Sequence, residues 1–139
     1  MFENYYDYIL EEVTKQEITS IPIIEKKLDQ NLINKYKDKH PTLKRIRINE
    51  DTKGIALFSK NNLVGIINVD TKRKYILGLE VFKPFKGQGI SYKLLDIATK
   101  KLGANKLSVR KTNRIALTTY KKDGWRIESE DNYMYYMVK

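Results

Sequence analysis

The sequence predicts a single α/β (α+β) domain: a mixed, mostly antiparallel central sheet with helices on both faces and one βαβ unit at its centre. Three observations carry this. The chain has 139 residues, close to the common size of one domain and short for two. Its apolar pattern passes from a four-residue spacing to alternation near Leu43 and returns to helical spacing at Ile90. Between Tyr75 and Arg110 a strand pattern, a glycine turn, a helical pattern and a second strand pattern follow one another.

The elements can be justified in order. Tyr6, Leu10 and Val13, with Ile9 beside them, predict an amphipathic helix from about Phe2 to Lys15. For a second helix, Thr19 and Ser20 are cap-type residues and Pro22 suits a first turn. Ile24, Leu28, Leu32 and Tyr36 then repeat every fourth position, and the His40-Pro41 pair ends the helix. Ile46 and Ile48 alternate against Arg45 and Arg47. GIALFSK and LVGIINVD follow as strands, with Asn61-Asn62 as the turn between them. YILGLEVF, from about Tyr75 to Phe82, is the third strand of this meander.

Ile90, Leu94, Leu95 and Ala98 share one face of the next helix, which Gly103 ends. The strand KLSVR, Lys106 to Arg110, completes a βαβ unit with the right-handed crossover such units adopt. A helix from about Asn113 to Lys122 stops at Gly124 with two lysines in its last turn. WRIES and NYMYYMVK close the chain as a hairpin, whose exposed edge offers a pairing site for a homodimer.

Composition narrows the chemistry. There is no cysteine and a single histidine, His40, so disulfides, thiol nucleophiles, thiolate or imidazole metal sites and histidine triads are excluded. Catalysis must run on carboxylates, hydroxyls, tyrosine or backbone groups, and no metal is expected. His40 reads as a surface residue at a helix end rather than a base. No run approaches the ~18 apolar residues of a membrane span, and the acidic start lacks the basic residues of a signal peptide. A cytoplasmic protein with no membrane partner is expected.

Lys and Arg number 27 against 17 Asp and Glu, a net charge of +10. Such a field attracts nucleic acid, a phosphorylated cofactor or an acidic protein face. The abundance of Lys, Ile, Asn and Tyr beside few arginines is equally what an AT-rich coding bias produces. The lysines are dispersed, with no arginine-rich or aromatic-interleaved stripe, so nucleic-acid binding has little support beyond charge. Trp125, Tyr133, Tyr135 and Tyr136 read as core and sheet-face residues rather than a base-stacking platform.

The segment KGQGIS, Lys86 to Ser91, joins a strand to a helix start. The first turn of a helix has N–H groups without intrahelical acceptors and the positive end of the dipole, which together make an anion site. Gly87 and Gly89 let the backbone curl toward one phosphate, although two glycines can also serve a tight turn alone. A nucleoside-triphosphate P-loop is excluded because no GK[ST] follows. A dinucleotide loop is excluded because Tyr92 stands where the third glycine would be.

VFKPFKGQGISYKLLDIA followed by LSVRKTNRIALTTYKKDGW resembles the two hallmark segments of the GNAT superfamily of acyl-CoA-dependent N-acetyltransferases. The acetyl-CoA signature [RQ]-x-x-G-x-[GA] maps onto Lys86, Gly89 and Ser91, after a strand ending in Val81. The later pattern maps onto Asn113, Ala116, Tyr120 and Gly124-Trp125, so the likeness spans about Tyr75 to Trp125. Lys86 replaces Arg or Gln, keeping a phosphate donor without the planar fork, and Ser91 replaces a small residue with a hydroxyl.

The resemblance implies acetyl-CoA as donor and direct transfer of its acetyl group to an amine. Lys86, Gly87, Gln88, Gly89, Ile90 and Ser91 would hold the phosphates. The strands of Val81 and LSVR would part to admit the pantetheine arm, with a backbone N–H near Val81 and Phe82 for the oxyanion. Asn113 would bond the cofactor or cap its own helix, and Tyr120 would be the general acid. Glu80, the one acid of its strand, is the candidate general base, but strand alternation sets it opposite Val81 unless a bulge intervenes, so a solvated or salt-bridged carboxylate is an equal expectation and a water chain to solvent an alternative base. The acceptor, a small molecule, a peptide or a tRNA-linked amine, is left open. The competing expectation is a non-catalytic basic module of the same fold that binds nucleic acid or an acidic protein.

Overall fold

A computed structural model describes residues 21–139, so the helix expected over 2–15 lies outside the described residues. Seven strands form one sheet in the order β1-β2-β3-β4-β5-β7-β6. They are β1 (Ile24–Lys27), β2 (Thr52–Ser59), β3 (Asn62–Asp70), β4 (Tyr75–Val81), β5 (Lys106–Arg110), β6 (Arg126–Glu130) and β7 (Met134–Val138). Three helices accompany them: α1 (Gln30–Tyr36), α2 (Ile90–Lys100) and α3 (Arg114–Lys122), with a 3-10 helix at Pro41–Arg45. All pairings are antiparallel except β4 with β5, which matches the expected mixed sheet and its central βαβ unit.

Two expectations near the start need correction. Residues 24–27 are an edge strand, with Ile24 opposite Phe58 and Lys27 opposite Ile55, and not the first turn of a helix. Cross-strand pairing with β2 outweighs the four-residue apolar spacing there, and the β-branched Ile24 suits it. The helix begins only after Asp29, whose side chain accepts from Leu32 N–H at 2.9 Å. Likewise, alternation at Ile46 and Ile48 marks no strand. The 3-10 helix at Pro41–Arg45 is followed by an irregular stretch in which Ile46 is buried.

The rest follows the sequence closely. The meander turns at Lys60-Asn61, one residue earlier than expected, with Lys60 at φ 56°. Asn113 caps α3 by accepting from Ala116 N–H at 3.1 Å, and Gly124 follows that helix at φ 96°. The last strand, β7, lies inside the sheet between β5 and β6, so β6 is the edge.

Strand alternation sorts the apolar side chains onto two faces. On one face Ile67, Val69, Leu79, Val81, Leu107 and Val109 pack under Ile90, Leu94 and Leu95 of α2 and Ala116 and Tyr120 of α3. On the other, Ala56, Phe58, Leu63 and Ile66 pack under Ile33 of α1 and Leu43 of the 3-10 helix. Helices therefore cover both faces, as expected.

Candidate functional site

The central parallel pair is barely a pair. β4 and β5 meet only at Tyr75 and Lys106, and the sheet is parted beyond that point. The hydrogen-bond register of β3 and β4 decides which groups face the parting. Phe82 N–H donates to Val64 C=O at 2.8 Å, making that pair a hydrogen-bonded one. The neighbouring pairs Gly65–Val81 and Ile67–Leu79 are then of the alternate kind, whose N–H and C=O groups point away from β3. The backbone groups of Val81 and Leu79 thus face the gap on the β5 side. Of the two positions expected to offer an oxyanion donor, Val81 has its N–H in the gap, while Phe82 has spent its own on β3.

A bulge shapes the narrow end of the gap. The register shifts from Asn68–Gly78 to Val69–Ile76, so Leu77 is an extra residue in β4. At a strand rise of about 3.3 Å per residue, Leu77 stands roughly 13 Å along the strand from Val81.

The wide end of the gap is the glycine loop. Gly87 and Gly89 adopt φ of 81° and 79°, the left-handed region that only glycine enters readily. Gly89 is the N-cap of α2 and makes no side-chain cap bond. A Cβ placed on Gly87 would meet nothing within 4 Å, so that position is glycine for its backbone angle and for open space beside it. Ile90 and Ser91 open the helix and are fully buried. Lys86 and Gln88 are partly exposed on the loop.

Across the gap, Asn113 is the buried N-cap of α3 and Tyr120 stands on that helix's buried face. Tyr120 is 3% exposed and belongs to the larger core. Asn113 caps the helix through Oδ1, while its buried Nδ2 has no hydrogen-bond partner. A buried amide donor left over after capping fits a ligand acceptor brought to this helix end.

Glu80 is buried, 6% exposed, on the sheet face opposite Val81. Thr42 Oγ1 donates to its Oε1. Burial pushes the Glu80 carboxyl up to about 7, against the smaller opposing pulls of the Thr42 hydrogen bond and the Lys86 charge. A solvated carboxylate, the ordinary outcome for a lone strand acid, is therefore not what the fold makes of it. Nearby, His40 packs its ring 4.2 Å from that of Phe82, and burial and Lys39 lower its pKa. It stands at a helix end, as the N-cap of the 3-10 helix, half-buried rather than fully on the surface. Trp125 is buried and donates to Asp123 at 3.1 Å, whereas Tyr133 is 74% exposed and belongs to no sheet face.

On the Glu80 face, the narrow end of the gap opens into a cleft of about 850 Å³. Tyr75 and Leu77 of β4, Ser108 of β5, Tyr136 of β7 and Asn68 of β3 line it, with Lys44, Arg45, Arg47 and Arg73 around them. Sequence reasoning missed this cleft, Thr42 and the bulge. Two signals were available: the basic run Lys44–Arg47, and Asn68 as the one amide in the apolar run of β3.

The acetyltransferase (GNAT) domain family matches residues 9–135, nearly the whole chain. The chain belongs to the GNAT family of N-acetyltransferases. Membership makes acetyl-CoA the donor, and the gap, the loop and the unpartnered Asn113 amide fit it. Among solved structures, this GNAT domain is similar to the Campylobacter jejuni N-acetyltransferase PseH in complex with acetyl coenzyme A, with 25% identity and a TM-score of 0.60 over 85% of this chain and 98% of that one. The ribosomal-protein-S18-alanine N-acetyltransferase from Escherichia coli shares 13% identity at a TM-score of 0.67, covering 84% and 92%. The PaiA N-acetyltransferase from Thermoplasma acidophilum in complex with coenzyme A shares 18% at 0.63, covering 85% and 98%. Likeness to the last two is one of fold. No curated protein is similar enough in sequence to match. Among the described residues no helix is long and apolar enough to cross a membrane, and no cluster of side chains could hold a metal.

Proposed function

We propose that this GNAT domain transfers an acetyl group directly to an amine seated in the cleft, with Glu80 as general base and Tyr120 as general acid. The observation that carries the reading is the parting of β4 from β5 beyond Tyr75 and Lys106, a passage from the glycine loop to the cleft. Bound acetyl-CoA supplies an activated acetyl thioester. Lys86 through Ser91 hold its phosphates, where each charged hydrogen bond contributes roughly 1.5–3 kcal/mol. The backbone of Val81 pairs with its arm, Phe82 flanks it, and Asn113 Nδ2 donates to it. The N–H groups of Val81 and Leu79 both face the gap, and that of Leu79, the nearer to the cleft, would meet the carbonyl oxygen on which charge develops, a contact worth about 3–4 kcal/mol in such sites.

An amine attacks only when neutral. Glu80, with a pKa of about 7, is ionised often enough at neutral pH to take the ammonium proton and basic enough to hold it. Thr42 fixes Oε1 of that carboxylate. The Tyr120 hydroxyl donates its proton to the departing thiolate at the opposite wall.

The test has two readouts. CoA at a hundred times its dissociation constant should stabilise the fold by ~2.7 kcal/mol, seen as a rise in melting temperature. An amine panel should release free thiol from acetyl-CoA. Tyr120→Phe should lower turnover a hundred- to ten-thousand-fold while the CoA-induced rise persists. A chain that CoA does not stabilise, and that releases no thiol, would instead be the non-catalytic basic module.

A further inference from the structure

We propose that the acceptor is a small amine that carries its own anionic group, phosphate or carboxylate, held by Arg47 and Arg73 while Asn68 receives the amine. The inference rests on the reading of the cleft as the acceptor site.

The cleft's charge is one-sided. Lys44, Arg47 and Arg73 line it, and Asp70 is the one acid among the described residues that do; Asp70 accepts from the Arg73 backbone N–H at 3.0 Å. Among the described residues Lys44, Arg47 and Arg73 form no ion pair. Lysine 101, Lys111 and Lys139 are by contrast each matched to a carboxylate elsewhere. Cations gathered in a concavity reinforce one another's field. An amine enters as ammonium, so a purely cationic acceptor would be repelled. The same amine with a phosphate or carboxylate is attracted, and arginine's planar fork suits both anions.

A second observation marks where the amine goes. Asn68 is 1% exposed, lines the cleft, and has an Oδ1 with no hydrogen-bond partner. Its Nδ2 is turned to Lys53 C=O at 3.5 Å, which leaves Oδ1 as the acceptor. A buried acceptor is costly to leave without a donor, and an ammonium supplies one. Asn68 pairs with Gly78, beside the bulged Leu77, at the narrow end of the gap where the acyl group must be met. The volume, about 850 Å³, falls in the range of small-molecule sites and leaves room for a second charged group on the same ligand.

The test uses matched amines: glucosamine 6-phosphate and O-phosphoserine for phosphate, glutamate for carboxylate, glucosamine and serinamide as neutral partners, and spermidine as the cation. Thiol release and calorimetric binding to the CoA-loaded protein are both measured. At least one anionic class should show a KM or dissociation constant tenfold or more below its neutral partner, and comparing the two classes identifies the anion. In the Arg47→Ala/Arg73→Ala double variant that ratio should fall toward one, and lysine at both positions should restore part of it. Asn68→Leu should weaken anionic and neutral amines alike. Neutral or cationic amines performing as well as anionic ones, no binding by either anionic class, or acceptance confined to an acidic peptide overturns the inference. Retained stabilisation by CoA in that event leaves the acetyltransferase reading standing, whereas its loss removes that reading too.

Discussion

Glu80 is where the fold most changes what a residue can do. Its carboxyl is raised from 4.5 to about 7 by burial, so between those values the folded chain binds a proton that the unfolded chain releases. Stability therefore falls as pH rises through that window and is level above it. Glu80→Gln, whose amide oxygen still accepts from Thr42, should be more stable than the parent at pH 8 by up to roughly 3 kcal/mol and equal to it near pH 4. Denaturant titration at the two pH values checks this. The same substitution should abolish the rise in rate that accompanies ionisation near pH 7. Asn113 separates two roles in one side chain: Asn113→Asp keeps the cap on Ala116 but replaces the buried donor with an oxygen. Its unfolding midpoint should hold while CoA affinity drops tenfold or more by calorimetry. The residue types at both positions were legible in the sequence. The proton affinity of one and the leftover amide of the other were not, because both depend on burial by parts of the chain far away in sequence.

At the scale of elements, the turn into α2 was readable because glycine's left-handed angles leave a local signature. Gly89→Val should strain the turn by about 1–3 kcal/mol, since φ of 79° suits no branched residue. It should also fill the cradle, so a differential melting experiment should show a folded protein that CoA no longer stabilises. The helix-to-strand correction at residues 24–27 has the opposite character. A four-residue stretch carries too few positions for period to decide, and the pairing of β1 with β2 decides instead. The bulge at Leu77 left no mark in the sequence, because it is defined by register against β3. The exposed edge β6 carries Arg126, Glu128 and Glu130, charges that discourage strand addition. This weighs against edge pairing as the route to a dimer.

Across the whole molecule, the net charge of +10 is not spread without effect, for four cations line the acceptor cleft. If that field draws an anionic acceptor, its KM should rise steeply between 0.01 and 0.15 M salt, where the screening length shrinks from about 30 to about 8 Å. The KM of a neutral amine should hardly move. Steady-state kinetics across a salt series tests both. The sequence by itself determined the layers, the central βαβ unit, the glycine loop and the family, since period, turn chemistry and motif spacing are properties of neighbours in the chain. Only the tertiary structure decided that the central strands part, that Leu79 and Val81 turn their backbone groups into the opening, and that Asn68 and scattered basic residues share one cleft. Register and convergence join positions far apart in the chain, and no local pattern records them.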